Sequence, residues 1–248
     1  MKSISANWPA PENIKTLITT RIGGYSLPPF DSFNPATHVG DNLNLVEKNR
    51  QLLRKQLPAE PNWLDQQHTT NCVNSSDVIS TLPIADASYT TEHNQICVVL
   101  TADCMPLLVC NKSGTIVAAI HAGWRGMANG IIEQSIKQLL NNSNESPEQF
   151  MVWLGPAISQ KNFEVGEEVK LTFTNKYTNS EKAFIAHHLN TNKYLCDLYK
   201  ICQIILEQLG VNEIYGGQFC TYEDKEQFYS YRRDGKTGRM ASMIWINN

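Results

Sequence analysis

Two stretches of the chain, Ile96-Cys97-Val98-Val99-Leu100 and Thr115-Ile116-Val117-Ala118-Ala119-Ile120, are apolar at nearly every position instead of at alternate ones. No other feature constrains the fold as tightly. Side chains of a strand point alternately to its two faces, so a strand with one wet face alternates, and a strand apolar throughout needs protein over both faces. The runs are short, bounded by turns and rich in β-branched residues, which favours buried strands over helices. Each ends on residues able to do chemistry. The first passes into Thr101-Ala102-Asp103-Cys104-Met105-Pro106, and the second into His121-Ala122-Gly123-Trp124-Arg125-Gly126.

The rest of the pattern surrounds these strands with helices. Lys15–Thr20 is expected as a strand closed by Gly23-Gly24. Leu45–Leu57 carries Val46, Leu52, Leu53 and Leu57 at helical spacing before the stop at Pro58. Asn62–Leu64 is expected as a short strand leading to His68. Further strands are expected from Leu107 and over Met151–Leu154, Glu213–Tyr215 and Met240–Ile246. Helices are expected over 127–140, Glu167–Asn175 and Asp197–Leu209, and the polar run 141–147 is a surface loop. Several connections are too short for crossover helices, which disfavours a doubly wound parallel sheet. The expectation is a mixed α/β fold: one layered domain of α/β/α type over residues 1–248, its sheet combining parallel and antiparallel strands.

Composition narrows the function class. A chain of 248 residues with 42% apolar residues supports a sizeable core, and its net charge of −3 comes from intermixed acids and bases. No basic block favours a nucleic-acid partner. No run approaches the ~18 apolar residues of a membrane span. The segment MKSISANWPAPENIK has no apolar secretory core, so the expected location is cytoplasmic. Seven cysteines, none in C-x-x-C spacing, suit reduced thiols that mostly fill the core. Cys104 differs, because Asp103 and Pro106 mark its position as a turn.

His68, Cys104 and His121 all stand at strand ends or in adjacent turns. Imidazole and thiolate are zinc ligands, and a catalytic zinc site typically has three protein ligands with one position open. The spacing matches no local ligand motif, so from the residues alone each histidine equally suits a hydrogen-bonded core or surface position, and Cys104 a core filler. Trp124 suits stacking on a flat ring or packing between helix and sheet.

The segments TADCMPLLV, AAIHAGWRG, GPAIS with FEVG downstream, and YRRDGKTGRMAS, with TTRIGGYS and HVGDN nearer the start, resemble the YfiH family over about residues 16–246. Members have been named polyphenol oxidase or laccase-domain proteins, peptidoglycan editing factor and purine nucleoside phosphorylase. The resemblance implies a single mixed α/β domain and a metal site made by His68 of QQH, Cys104 of TADC and His121 of IHAGWRG. One departure is visible: Thr69 follows the histidine where the family usually has glycine.

The implied activities differ in what they require. A multi-copper oxidase needs a histidine-rich ligand set, and this chain has six histidines and no His-x-His pair. A single copper remains compatible, since copper outcompetes zinc at most N/S sites. The leading expectation is a zinc-dependent purine nucleoside enzyme. It would carry out phosphorolysis of adenosine, inosine or methylthioadenosine with phosphate, deamination of adenosine, or both. Asp103 is the candidate for orienting a ligand histidine or assisting proton transfer, with a turn cap as its plain alternative. Arg21 and Arg125, beside glycines, are the favoured phosphate-binding residues over Arg50, Arg233 and Arg239. His38 and Trp124 are the other candidates for substrate contact. A hydrolase editing peptidoglycan precursors is the alternative.

Overall fold

The computed structural model describes residues 1–77 and 82–248. Its strands are β1 (Ser3–Ile4), β2 (Ile14–Thr19), β3 (Cys72–Asn74), β4 (Ala87–Thr90), β5 (Cys97–Thr101), β6 (Met105–Asn111) and β7 (Val117–Ala122). They continue with β8 (Phe150–Leu154), β9 (Glu164–Gly166), β10 (Phe184–Ala186), β11 (Lys193–Cys196), β12 (Glu213–Gly216) and β13 (Met240–Ile246). The helices are α1 (Leu43–Arg54), α2 (Trp124–Asn129), α3 (Ile131–Asn141), α4 (Glu167–Thr174), α5 (Leu198–Gln208) and α6 (Tyr231–Asp234).

A four-stranded antiparallel sheet has the order β1-β2-β13-β5, and a six-stranded mixed sheet the order β12-β8-β6-β7-β4-β3. In the larger sheet β12/β8 and β3/β4 are parallel and the other pairs antiparallel. A small antiparallel sheet, β10-β11-β9, lies apart from both.

The two larger sheets face each other, and the period-2 rule shows why their strands are apolar on both sides. Cys97 and Val99 of β5, Ile244 and Ile246 of β13, Leu108 and Cys110 of β6, and Val117 and Ala119 of β7 fill the space between the sheets. The intervening residues turn outward. Val98, Leu100, Met243 and Trp245 pack with Leu53 of α1, whereas Leu107, Val109, Ala118 and Ile120 pack under α3 and α5. Each such buried Leu, Ile or Val contributes roughly 1.5–3 kcal/mol relative to exposure. The mixed α/β fold is as expected, with its β layer doubled: helix, sheet, sheet, helix.

Local differences have local causes. The helix expected over 127–140 is two helices, parted at Gly130, whose φ of +103° is a left-handed conformation that glycine adopts without penalty. The strand expected at Asn62–Leu64 is absent; Asn62 makes one isolated bridge to Cys97. Among the described residues no helix is long and apolar enough to cross a membrane.

Candidate metal centre

The three residues singled out by the motifs meet in space. The ligand atoms of His68, Cys104 and His121 lie within 4.8 Å of one another. Each arrives from a different element. Cys104 ends the Ala102-Asp103-Cys104 turn that carries the chain from β5 in one sheet to β6 in the other, and Asp103 takes a φ of +88° to make it. His121 is the penultimate residue of β7, directly opposite Pro106 of β6. His68 lies in the loop before β3.

Asp86, which no motif pointed to, organises two of the three. It precedes β4, and the β4/β7 pairing sets Ala87 against Ile120, so that Asp86 meets His121 across the ladder. The His121 amide donates to the Asp86 carbonyl at 2.7 Å, and His121 Nδ1 lies 2.7 Å from Asp86 Oδ1. A carboxylate there holds the ring proton on Nδ1 and leaves Nε2 as the ligand nitrogen. Three successive amides then wrap the same carboxylate: Gln67 N to Oδ2 at 3.2 Å, His68 N to Oδ1 at 3.1 Å and Thr69 N to Oδ2 at 2.6 Å. That wrapping holds His68 at a φ of +58°. It also accounts for Thr69 in place of glycine, because its hydroxyl adds a bond to Asp86 Oδ2 at 2.8 Å. The fully buried Asp86 thus has strong partners on both oxygens. Burial alone would raise its pKa; the hydrogen bond and charge of His121, with those from Thr69, bring it below the usual carboxylate value.

The donor set fits a mononuclear soft-to-borderline metal. Tetrahedral zinc with Zn–S of about 2.3 Å and Zn–N of about 2.05 Å sets sulfur and nitrogen roughly 3.6 Å apart; Cys104 Sγ and His68 Nε2 are 3.8 Å apart. Gly123 leaves the room this requires, since a Cβ there would stand 2.8 Å from His68 Cδ2 and 2.9 Å from Cys104 Sγ. Electrostatics favour the ligating form of Cys104 as well. Burial pushes the Cys104 thiol up, but the charge and hydrogen bonds of His121 and His68 outweigh it and bring the thiol down to about 6. The other buried thiols go the opposite way, with Cys97 pushed up to about 11 and Cys110 to about 12 by burial.

The centre opens into a cavity of about 540 Å³ lined by His38, Gln66, Asp103, Trp124 and Arg125, among others. Phe163, Tyr231, Arg232 and Arg239 complete its wall. Asp103, expected as a catalytic residue, and three of the four residues expected to contact substrate, His38, Trp124 and Arg125, therefore share one cavity with the ligand cluster. Arg21 does not. It lies in a separate cleft with Asp31, Lys225 and Arg233, where its guanidinium is taken up by the carbonyls of Asp31 and Lys225 and by the Asp31 carboxylate. Asp103 orients no histidine, that role being filled by Asp86. Its carboxylate accepts from Thr221 Oγ1 at 2.6 Å and from the Arg232 amide at 2.7 Å, pinning the start of α6 to the ligand turn. The sequence reading gave no role to Asp86, Gln66, Phe163, Tyr231 or Arg232 and ranked Arg239 low. The only signal for Asp86 was a lone acid amid apolar residues in Ile84-Ala85-Asp86-Ala87.

The doubled α/β sandwich thus sets two histidines and a cysteine that could hold a metal ion at the base of an arginine-walled cavity. Residues 15–247 match the model of the family described as multi-copper polyphenol oxidoreductase laccase, and the chain belongs to that family. It is 44% identical over 247 residues to the Escherichia coli K12 protein named purine nucleoside phosphorylase YfiH, covering 99% of each chain. It is 45% identical over 248 residues to the Haemophilus influenzae protein named purine nucleoside phosphorylase, covering 99% of this chain and 100% of the other. Among solved structures, a Neisseria meningitidis protein superposes with a TM-score of 0.94 at 44% identity over the whole of both chains. YlmD from Geobacillus stearothermophilus gives 0.89 at 27% identity, covering 100% of this chain and 98% of the other.

Proposed function

We propose that the chain is a cytoplasmic, zinc-dependent purine nucleoside phosphorylase acting on adenosine, inosine or methylthioadenosine. The observation that carries this reading is the cavity wall, where flat rings and guanidinium groups stand together beside the ligand cluster. Trp124, Phe163 and Tyr231 offer faces for a purine, and Arg125, Arg232 and Arg239 offer positive charge for an anionic cosubstrate. The names carried by the Escherichia coli and Haemophilus influenzae relatives support the same class.

Zinc held by His68, Cys104 and His121 would supply Lewis-acidic positive charge at the base of the cavity. The chain's own residues do the positioning. Asp86 keeps the proton of His121 on Nδ1. The aromatic wall sets the plane of the base, and the guanidinium groups draw phosphate towards the ribose carbon of the glycosidic bond. Partial burial, then the charge of Arg239, lowers the pKa of His38. The shift favours the neutral ring, which can donate to and accept from ribose hydroxyls.

Deamination has weaker support, because it needs a free carboxylate for proton shuttling. Asp103 is occupied by Thr221 and Arg232, and Asp86 by His121 and the 67–69 turn. Copper oxidase chemistry of the multi-copper kind needs further ligand sets. Among the described residues one group of three or more candidate ligands is present.

The test is metal analysis of wild type and Cys104→Ser, followed by incubation of each with adenosine, with and without phosphate, and chromatography of the products. About one zinc per chain and phosphate-dependent release of adenine, both lost in the variant, is the expected result. Phosphate-independent inosine would reassign the enzyme as a deaminase. Zinc without nucleoside turnover would overturn the nucleoside reading in favour of cell-wall precursor editing.

A further inference from the structure

The sequence contains seven arginines, and the structure accounts for four of them without a ligand. Arg21 is paired with Asp31, Arg54 with Glu47 and Glu60, and Arg233 with Asp234 and three carbonyls. Arg50 donates to the Pro35 carbonyl and lies 4.0 Å over the Trp63 ring. The remaining three, Arg125, Arg232 and Arg239, all line the cavity, and among the described residues none has a carboxylate within ion-pair distance.

These three are not equivalent. Arg125 is exposed and lies 4.4 Å over the ring of Trp124. Arg232 is exposed, donates through Nη1 to the Glu164 carbonyl and lies over Phe163 at 5.1 Å. Arg239 alone is partly buried. Its backbone is fixed immediately before β13, where Met240 pairs with Thr101 of β5, and its amide donates to Asn34 Oδ1 at 3.1 Å. Its Nη1 donates to the carbonyls of Thr237 at 3.0 Å and Gly238 at 2.9 Å. Among the described residues Nε and Nη2 donate to nothing, so the edge of the guanidinium that grips an oxyanion with two parallel bonds is the free one. With Asp103 and Cys104 acting on it only from beyond ion-pair distance, a partly desolvated cation is unfavourable unless an anion completes it.

We propose that Arg239 is the seat of the phosphate cosubstrate, its Nε/Nη2 edge holding two oxygens of a tetrahedral dianion beside the Cys104 turn. This deepens the phosphorylase reading and rests on it. A preorganised, partly dehydrated fork binds an oxyanion better than the exposed Arg125 and Arg232, which are left to screen and steer.

The test uses zinc-loaded full-length protein, with Arg239→Gln and Arg239→Lys compared to wild type. Thermal melting and zinc content confirm the fold in each. At saturating adenosine, Arg239→Gln raises the KM for phosphate roughly 10- to 100-fold, the loss expected for charge-assisted hydrogen bonds, and leaves the KM for adenosine within about twofold. Arg239→Lys, which keeps charge but loses the fork, recovers only part of the effect. Unchanged phosphate KM in both variants overturns the proposal while leaving phosphorolysis standing. If wild type shows no phosphorolysis, the activity reading fails separately, and calorimetry with inorganic phosphate decides the site: binding to wild type lost in Arg239→Gln supports it, and no binding, or equal binding to both, overturns it. A variant that loses adenosine monophosphate binding but keeps its phosphate KM would show that the seat serves a nucleotide's own phosphate, which also overturns the cosubstrate assignment.

Discussion

The carboxylate of Asp86 stands 2.7 Å from Nδ1 of His121 and, through its two oxygens, also holds the amides of Gln67, His68 and Thr69. One buried side chain therefore sets the ring of one ligand and the backbone of another. Asp86→Asn removes the charge that fixes the His121 proton and puts an amide donor where an acceptor is required. Zinc affinity is expected to fall roughly 10- to 100-fold. Dialysis against a graded series of chelator concentrations, with zinc counted per chain, measures it; retention equal to wild type would show that Asp86 serves only the fold.

Gly123 tests the space between ligands. Its backbone φ of −70° is ordinary for any residue, so Gly123→Ala introduces no backbone strain. The added methyl meets His68 and Cys104 at under 3 Å. The expected outcome is a folded protein with little bound metal. Gly126→Ala, whose Cβ would meet Ile131 Cγ2 at 3.3 Å and, of the ligand residues, only the His121 carbonyl oxygen at an ordinary 3.8 Å, is the control and should keep its metal. Far-UV circular dichroism with elemental analysis distinguishes the two.

Thr221→Val leaves Asp103 Oδ1 without the donor that reaches it at 2.6 Å. A buried carboxylate oxygen left unmet costs roughly 1–3 kcal/mol. Because the Arg232 amide holds the other oxygen, α6 should loosen before the sheets do. A lowered urea midpoint, with faster amide exchange at residues 230–234, is the expected signature. No change in either would mean that the clasp is not under load.

The Cys104–His121 pair gives the metal-free protein a defined pH window. A thiol lowered from 9.0 to about 6 stabilises the fold above its unfolded value and loses that contribution as pH falls through about 6. An imidazole raised from 6.5 to about 9, by Cys104 and Asp86 against the effect of burial, contributes fully below its unfolded value and loses this as pH rises through about 9. The charged pair therefore persists between about 6 and 9. Carboxymethylation of Cys104 in chelator-treated protein should have its midpoint near pH 6, with Cys97 and Cys110 unreactive in the folded state. A Cys104 midpoint near 9 would contradict the pairing.

The strands were legible where burial on both faces removes alternation, as at β5 and β7, and β13 was found at its full length of Met240–Ile246. The short pieces β3, β4 and β9–β11 were not, because a strand of three or four residues carries little periodicity, although β12, equally short, was found. The resemblance brought His68, Cys104 and His121 forward together, and the structure gathers them in one place. Asp86 stayed hidden because its partner is 35 residues away and only the antiparallel register of β4 on β7 brings them together. Arg21 misled for a related reason: neighbouring glycines suggested an open cradle, while the acceptors that consume its guanidinium include the carbonyl of Lys225, far along the chain. The pairing of Met240 with Thr101, likewise a long-range fact, is what carries Arg239 to the cavity.

The turn that bears Cys104 is also the passage from the four-stranded sheet to the six-stranded one. An ion held by Cys104, His121 and His68 would therefore act as a rivet through both halves of the sandwich. By mass action, such an ion raises the unfolding free energy by about 2.7 kcal/mol at a free concentration a hundred times its Kd. Melting temperature should then climb with the logarithm of free zinc, so the availability of one ion in the surroundings would help set how long the whole chain survives.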